Sequence, residues 1–336
     1  ESDFDGDGHQ ELAFISSVKF GGALAIFRTT EDGLEENPYC VVPIQRYNLS
    51  WDRYQGKLLG GWDLNQDGLD DYVLGSRFFH GEHGGIHILY GTDGTSGTDE
   101  ESEEMDSSCE FDVSFQGWRH GGALGSDFSM GYIDGDECPD LVVGEPYLDT
   151  DTDNSGAIHI LWGTGENCRA QSEFSSLYHP LELVEVGSHI SSGVDLNGDG
   201  HDEVVYTQGR EGIQKTFVLD GAALSLAPTT GFTNNRTPEG PLYPEPWRFY
   251  DLVSDYLMDD IIHQGDANIE LFEDSTGTKW LAFGKYSEDM VEIYRYNDTS
   301  SSFEDIPYIV IRSDSNNTDW KGDFGVYIQP HQDSIV

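Results

Sequence analysis

The sequence has few cationic residues, and this limits what the protein can bind. Only 17 lysines and arginines stand against 63 aspartates and glutamates, which gives a formal net charge of −46 at pH 7. Because such a surface repels polyanions, nucleic-acid grooves and anionic membrane surfaces are excluded as main partners. Hydrophobic residues still make up 37% of the chain and aromatic residues 12%, so a disordered acidic protein is excluded too.

Long hydrophobic runs are also absent. No stretch of 18 apolar residues occurs, and we therefore expect no transmembrane segment. The chain opens on Glu1 without a charged and then apolar leader, which favours a processed protein or a piece of a larger one. An acidic, lysine-poor composition suits a calcium-rich exterior, and the expected location is extracellular, either secreted or at the cell surface.

Common catalytic motifs are missing as well. The sequence contains no G-x-S-x-G, H-E-x-x-H, P-loop or G-x-G-x-x-G motif. Pairs of acidic residues abound, however, and such pairs serve glycosidases. A polysaccharide lyase or hydrolase therefore remains an alternative, although enzymatic activity is not the favoured interpretation.

An acidic repeat dominates what is present. The pattern D-x-[DN]-x-D-G-x-x-[DE], followed by an apolar run, begins at residues 3, 63 and 195, with a degraded copy at 132 and a relic at 272. The steps are 60, 69, 63 and 77 residues, and 67 residues lead from 272 through the C-terminus back to 3. A repeat that closes on itself with one period is typical of a ring.

A second element follows each acidic loop. Short strands rich in β-branched and aromatic residues, most of them led by glycine, occur at 21–27, 84–90, 156–162, 213–219 and 290–296. Each unit then has room for four strands: one before the acidic loop, one after it, this second element and one more. Four antiparallel strands per repeat predict an all-β fold, a single β-propeller over residues 1–336.

The repeats resemble the FG-GAP repeats of integrin α-chain propellers and of bacterial FG-GAP/VCBS surface proteins. The resemblance rests on the acidic loops, on the glycines that end the following strands (Gly75 and Gly144) and on Phe324-Gly325. It fades over 205–270. The integrin propeller has seven blades, whereas this length favours five, and an eroded blade within 205–270 keeps six or seven open.

The intact loops carry the ligand pattern of a calcium site. Calcium takes six to eight oxygens, which carboxylates or amides at positions 1, 3, 5 and 9 and a main-chain carbonyl at position 7 would supply around a glycine turn. Three Ca²⁺ sites are expected, with a weaker fourth in the degraded loop. The predicted ligands are Asp3, Asp5, Asp7, His9 and Glu11; Asp63, Asn65, Asp67, Leu69 and Asp71; Asp134, Asp136 and Asp140; and Asp195, Asn197, Asp199, His201 and Glu203.

Two other interpretations of these loops fit the sequence less well. A solvated hairpin that binds nothing would leave several carboxylates to repel one another at every repeat. An EF-hand needs a flanking helix and a glutamate at position 12, where this sequence has Phe14, Leu74 and Tyr206. Both are less favoured than calcium-binding hairpins between strands.

The opposite face of the resembled fold is formed by the loops between blades and between the second and third strands. Aromatic and basic residues recur there, which would suit a carboxylate-bearing protein or a sugar. The alternative is that each tryptophan packs between blades and each arginine pairs with a local acid. The candidate ligand-binding residues are Trp51, Arg53, Arg77, Trp118, Arg119, Tyr178, Trp247 and Arg248.

The four cysteines form no C-x-x-C pair, which excludes a zinc knuckle. Cys138 lies in the acidic hairpin of the third repeat, and Cys168 lies just after the glycine-led strand of the same repeat. Both positions are at the same end of the blade, so a Cys138–Cys168 disulfide is predicted. Cys109 is the competing partner, and Cys40 has no evident mate. At the chain ends, 323–336 is expected to complete the blade begun at Glu1 and so close the ring.

Together these features predict a calcium-stabilised extracellular adhesion or interaction module for a protein or glycan ligand. A carbohydrate-active enzyme on the same scaffold is the second hypothesis. A structural domain of a larger surface assembly is the third.

Overall fold

The computed structural model describes about two thirds of the chain. The described residues are 2–16, 23–31, 33–43, 57–77, 83–93, 109–117, 119–149, 154–165, 168, 173–178, 185–210, 213–227, 230–231, 250–251, 257–263, 267–285, 288–312, 330–331 and 334–335.

The described part is almost entirely β-structure, with a single helix of four residues. In chain order, the elements are β1 Leu12–Ser16, β2 Ala23–Phe27, β3 Thr29–Thr30, β4 Gly33–Leu34, β5 Cys40–Pro43, β6 Leu58–Trp62, β7 Asp71–Ser76, β8 Gly85–Leu89, β9 Val113–Gln116, β10 Phe128–Gly131, β11 Asp140–Glu145, β12 Ala157–Trp162, β13 Glu173–Tyr178, β14 Ile190–Ser191, β15 Val204–Arg210, β16 Ile213–Leu219, α1 Gly221–Leu224, β17 Thr230–Gly231, β18 Tyr250–Asp251, β19 Leu257–His263, β20 Ala267–Glu273, β21 Lys279–Lys285, β22 Met290–Asn297, β23 Ser302–Phe303, β24 Ile309–Arg312, β25 Pro330–His331 and β26 Ser334–Ile335.

These strands form successive antiparallel sheets in which neighbours follow one another along the chain, the blade architecture of a β-propeller. We number the sheets by their acidic loops. Blade 2 is β6-β7-β8-β9, blade 3 is β10-β11-β12-β13, blade 4 is β14-β15-β16-β19, and blade 5 is β20-β21-β22-β24. Blade 1 is β1-β2-β5 and has no strand of its own before its acidic loop within the described residues. The predicted all-β, four-stranded architecture is confirmed.

The central strands of the blades form the core. Every residue of β7, β8, β11 and β12 is buried, as expected for strands that are packed on both faces. β8 and β12 are the elements recognised in the sequence at 84–90 and 156–162, and β7 and β11 are the apolar runs that follow the acidic loops. The predicted strands at 213–219 and 290–296 are likewise present as β16 and β22.

The chain separates into two compact units. One unit contains 1–126, 163–172 and 232–247, and therefore blades 1 and 2; the other contains 127–162, 173–231 and 248–336, and therefore blades 3 to 5. In the second unit, one hydrophobic cluster joins blades 3 and 4 and includes Ile158, Tyr206 and Phe217. A single domain over 1–336 remains a prediction.

Strands from 205–270, where the repeat fades, pair with strands of blades 3 and 4. β19 pairs with β16 and completes blade 4, while β17 and β18 both pair with β13 at the edge of blade 3. No additional sheet is formed by the described residues of 205–270. The number of blades in the whole chain, and their closure into a ring, stay predictions.

All four cysteines are in disulfides. Cys40 bonds Cys109, with 5.6 Å between the α-carbons, and this corrects the expectation that Cys40 has no mate. The other two cysteines are bonded as well, so the predicted Cys138–Cys168 pairing is confirmed. The segment 323–336, which is predicted to close the ring, lies largely outside the described residues. Its described part consists of β25 and β26, which pair with each other.

Candidate metal centre

The acidic loops lie at one end of the blades. Three of them are hairpins that join the first strand of a blade to the second, β6 to β7, β10 to β11 and β14 to β15, and the loop at residues 3–11 precedes β1. Strands, not helices, follow every loop, so an EF-hand is excluded.

A carboxylate at position 9 closes each loop. It accepts a hydrogen bond from the backbone N–H of position 2, which ties the two ends of the loop together. The four bonds run from Phe4 to Glu11 at 2.7 Å, from Leu64 to Asp71 at 2.7 Å, from Ile133 to Asp140 at 2.9 Å and from Leu196 to Glu203 at 2.5 Å.

The inner positions repeat a second pattern of hydrogen bonds. The N–H of position 5 donates to the side chain of position 3, in Asp7 to Asp5, Asp67 to Asn65, Asp136 to Asp134 and Asp199 to Asn197. The N–H of position 7 donates to position 5, in His9 to Asp7, Leu69 to Asp67, Cys138 to Asp136 and His201 to Asp199. These bonds turn the side chains of positions 3 and 5 toward the inside of the loop.

Position 6 is where three loops turn back on themselves. Gly8, Gly68 and Gly200 have φ angles of 87°, 92° and 91°, a left-handed conformation that glycine adopts without strain. Their N–H groups donate to the position 1 carboxylates of Asp3, Asp63 and Asp195. The degraded loop has Glu137 here and Tyr132 at position 1, and it lacks this bond.

Two loops bring three carboxylates together. One oxygen each from Asp3, Asp5 and Glu11, and one each from Asp195, Asp199 and Glu203, lie within 4.8 Å of one another; among the described residues the loops of blades 2 and 3 do not reach this closeness. Oδ1 of Asp3 and Oε1 of Glu11 are buried without a hydrogen-bond partner. Buried, unpartnered carboxylate oxygens are costly unless a cation neutralises them.

Burial shifts the ionisation of the position 9 carboxylates. Desolvation raises the pKa of Glu11 to about 7, that of Asp71 to about 7 and that of Glu203 to about 8, although each accepts a backbone N–H bond that lowers it. The charges of the other acids in the same loop raise these pKa values further. The loops thus hold negative charge at a cost that a bound divalent cation would remove.

The relic loop of blade 5 is organised without a metal. Oδ1 of Asp274 accepts bonds from the hydroxyl and N–H of Thr276, and Oδ2 accepts a bond from Nε1 of Trp280 at 2.8 Å. The Thr276 and Trp280 bonds lower the pKa of Asp274 to about 2. Hydrogen-bond donors thus satisfy its carboxylate, and this loop needs no cation.

Position 8 was not recognised in the sequence. In blade 2, Asp70 accepts the N–H of Asp3 at 2.8 Å, and in blade 4, Asp202 accepts the N–H of Tyr132 at 2.7 Å. In blade 5, Nζ of Lys279 donates to the carbonyl of Leu196 at 2.8 Å. In blades 2, 4 and 5 the position 8 side chain therefore binds the loop of the preceding blade. The signal was present in the alignment of the repeats, where position 8 is polar in these three copies.

The side chains at position 7 also pack on the preceding loop. A Cβ atom at Gly6 would stand 2.6 Å from Cδ2 of Leu69, and Nδ1 of His201 lies 3.1 Å from the carbonyl oxygen of Ile133. His9 is exposed. Only the main-chain carbonyls of these three residues remain candidates as ligands.

Blade 1 contains one further contact that the sequence did not indicate. Nε of Arg28 forms an ion pair with Oδ2 of Asp5, a predicted ligand, and the guanidinium lies 3.9 Å from the centre of the Tyr39 ring. The side chain of Asp5 is 1% exposed and that of Arg28 is 33% exposed. A cation of the protein itself therefore reaches into this loop.

Some predicted ligand-binding residues can be located at the opposite end of blade 2. Arg77 directly follows β7 and Arg119 follows β9, and both strands run away from the acidic loop. The loops that carry them meet, because the rings of His83 and His120 are in edge-on contact at 5.6 Å and a β-bridge joins Gly84 to Leu124. The strand of Tyr178 is described but its side chain is not. The other candidates, Trp51, Arg53, Trp118, Trp247 and Arg248, lie outside the described residues.

A buried chain of polar side chains in blade 3 resembles a catalytic triad only in its connectivity. Nε2 of His159 lies 3.0 Å from Oε2 of Glu145, and Nδ1 lies 2.9 Å from Oγ of Ser176. His159 and Glu145 are fully buried and Ser176 is 5% exposed. A substrate could not reach the serine, so these residues serve the packing of the blade.

Comparisons with known proteins give distant similarities. No family model matches the chain. Human phosphatidylinositol-glycan-specific phospholipase D is 27% identical over 170 residues, which are 48% of this chain and 20% of that protein. The chain thus matches about a fifth of the length of this relative. Among solved structures, the Dos1 propeller aligns with a TM-score of 0.43 and 9% identity, over 88% of this chain and 55% of that one.

Among the described residues, no helix has the length and apolar character needed to cross a membrane. Two disulfides are compatible with an extracellular or secreted location.

Proposed function

We propose that the protein is a calcium-stabilised, extracellular β-propeller of the FG-GAP type that acts as an interaction module. The observation that carries the calcium proposal is the set of repeated acidic loops with buried carboxylates, two of which gather three carboxylates within 4.8 Å. The disulfides and the strongly acidic composition agree with an exterior rich in calcium.

The residues present fit calcium better than other metals. The donors are carboxylates, amides and main-chain carbonyls, the hard oxygens that Ca²⁺ prefers, and the loops of blades 1, 2 and 4 contain no cysteine. The buried Oε1 of Glu11 has no other partner and would gain one. When bound, calcium would neutralise the loop and hold its two ends together.

The test is calcium binding by the full chain. Isothermal titration of protein stripped with EDTA should give about three sites, and replacing Asp199 or Asp67 with alanine should remove one site each. Asp274→Ala is the matched control, because its loop satisfies the carboxylate internally. A stripped protein that binds no calcium at millimolar concentration would refute the proposal.

The interaction surface would be formed by the loops at the end opposite the acidic hairpins. There the loops of Arg77 and Arg119 come together in blade 2 through contacts of His83 and His120, which brings two arginines to one end of a blade on a protein of net charge −46. Such a group favours a ligand that carries carboxylates, on a protein or an acidic glycan.

A binding screen against acidic glycans and extracellular proteins tests this surface. Arg119→Ala should weaken binding of any ligand found, while Arg295→Ala, an exposed arginine on β22, should not. Equal losses from both variants would show that binding depends on overall charge rather than on this face.

A further inference from the structure

In blades 1 to 4, the strand that follows the acidic loop begins at or next to the position 9 carboxylate and pairs with the next strand of the same blade. One residue at the end of that next strand stands opposite the carboxylate. In the strand registers, Leu12 pairs with Phe27, Tyr72 with Leu89, Leu141 with Leu161 and Val204 with Leu219. The next residue along the second strand is therefore equivalent in all four blades. It is Arg28 in blade 1, Tyr90 in blade 2, Trp162 in blade 3 and Asp220 in blade 4.

In blade 1 this residue is a cation held in place on two sides. Nε of Arg28 pairs with Asp5, while the face of Tyr39 supports the guanidinium at 3.9 Å. The hydroxyl of Tyr39 in turn donates to the carbonyl of Thr92 at 2.9 Å, which fixes the ring. Because Asp5 is buried, its pairing with arginine is screened little by solvent.

In blade 4 the equivalent residue is an anion. Asp220 follows Leu219 at the end of β16 and accepts the N–H of Ala223 as the N-cap of α1, at 2.8 Å. The pairing of Val204 with Leu219 places Asp220 across from the ligand Glu203. Loop 1 has one carboxylate more than loop 4, since Asp5 stands where loop 4 has Asn197, but the neighbouring position differs by two units of charge in the opposite sense. With that neighbour included, loop 4 is the more negative of the two by one unit.

We infer that this residue sets the calcium affinity of each blade, so that Arg28 makes the blade 1 loop a weak site and Asp220 makes the blade 4 loop a strong one. The inference rests on the proposed calcium binding and adds a rank to the sites. A dication entering loop 1 meets the guanidinium and must compete with it for Asp5. A dication entering loop 4 meets an additional negative charge.

The consequence is an ordered response to calcium. As calcium falls, the blade 1 loop empties first among the three intact loops, and the Arg28–Asp5 ion pair then partly replaces the ion. The unit that contains blades 1 and 2 would thereby sense calcium at a concentration where loop 4 is still filled.

The experiment is calorimetric calcium titration of the EDTA-stripped full chain. Asp7→Ala should abolish the weakest of the three intact-loop sites and so assign it to blade 1. Arg28→Gln should tighten that site by about tenfold, since removing a charge a few ångströms from a dication changes their Coulomb energy by more than a kilocalorie per mole. Arg28→Lys keeps the charge and should leave the site weak. Arg295→Gln makes the same change of net charge at an exposed residue of blade 5, opposite Trp280 of the relic loop, and should leave the affinities of the intact loops unchanged.

The reciprocal variant is Asp220→Asn, because asparagine still caps the helix while losing the charge. It should weaken the strongest site about fivefold, and it tests the inference even if Arg28→Gln does not fold. If the blade 1 site keeps its affinity in a folded Arg28→Gln, or the blade 4 site in Asp220→Asn, the inference is wrong although calcium binding stands. A wild-type protein without any calcium binding overturns both.

Discussion

Asp70 and Asp3 exchange two hydrogen bonds between neighbouring blades. The side chain of Asp70 accepts the N–H of Asp3 at 2.8 Å, and the N–H of Asp70 donates to the Asp3 carbonyl at 3.1 Å. Asp3 is the first predicted ligand of one loop, and Asp70 directly precedes Asp71, the last predicted ligand of the next. The two candidate sites are therefore connected through one pair of residues.

Asp70→Ala should destabilise the protein by about 1–3 kcal/mol, because it removes a charge-assisted hydrogen bond and leaves the N–H of Asp3 without its acceptor. Asp70→Asn keeps an acceptor and should cost less. Urea unfolding measures both, with Asp298→Ala, an exposed residue, as the control. An alanine variant as stable as the wild type would show that the bond contributes nothing to blade packing.

Calcium should contribute much of the stability of this protein. One site filled at a hundred times its dissociation constant adds about 2.7 kcal/mol, so three add roughly 8 kcal/mol, as much as many whole domains possess. Thermal melting in millimolar calcium should exceed melting in EDTA by many degrees. Equal midpoints would contradict this prediction.

Single variants should show how much each loop contributes to the calcium-dependent rise in melting temperature. Asp199→Ala should lose the share of blade 4 and Asp67→Ala that of blade 2. Asp274→Ala removes bonds to Thr276 and Trp280 and can lower the melting point in both buffers, but the difference between calcium and EDTA should be unchanged. A smaller difference in Asp274→Ala would mean that the relic loop binds calcium after all.

In EDTA, stability should fall as the pH rises from about 5 to 8. Burial raises the pKa of Glu203 to about 8 and that of Glu11 to about 7, so the folded state binds protons that the unfolded state, with pKa values near 4.5, has released. The stabilisation is complete below the unfolded pKa and is lost as the pH passes through the folded pKa. Melting temperatures measured across this range in EDTA check the prediction.

Glu203→Gln is the matched variant, since an amide imitates the protonated carboxyl. Its melting point in EDTA should depend less on pH than that of the wild type, and its calcium increment should be smaller. General charge repulsion also grows with pH and lowers the stability of both proteins. The difference between the wild type and Glu203→Gln therefore isolates the contribution of Glu203. Parallel pH curves would exclude Glu203 as the titrating group.

The Cys40–Cys109 disulfide should stabilise the unit of blades 1 and 2. It closes a loop between residues 69 apart in sequence, and the chain-entropy estimate for that length is about 4 kcal/mol. Cys40→Ala, Cys109→Ala and the double variant should all lose a similar amount, because either change breaks the bond. Peptide mapping without reduction should recover Cys40 linked to Cys109; recovery of Cys40 linked to Cys138 would contradict the structure.

The acidic loops and the strands around them followed from the sequence because their interactions are local. The bonds that shape a loop join residues two to seven apart, such as Asp7 to Asp5 and Phe4 to Glu11. The same nine positions therefore give the same hairpin in blades 2 and 4, and four repeats of it predicted the β-propeller architecture. The buried central strands were equally visible as apolar runs of fixed spacing.

The tertiary structure alone decided the contacts between residues far apart in the chain. Arg28 reaches Asp5 across 23 residues, Asp70 reaches Asp3 across 67, and Cys40 meets Cys109 across 69. Each depends on how strands align and blades stack, which is a property of the packed sheets and not of any local segment. The sequence therefore determined which residues form the loops, while packing decided which loop holds an arginine among its carboxylates.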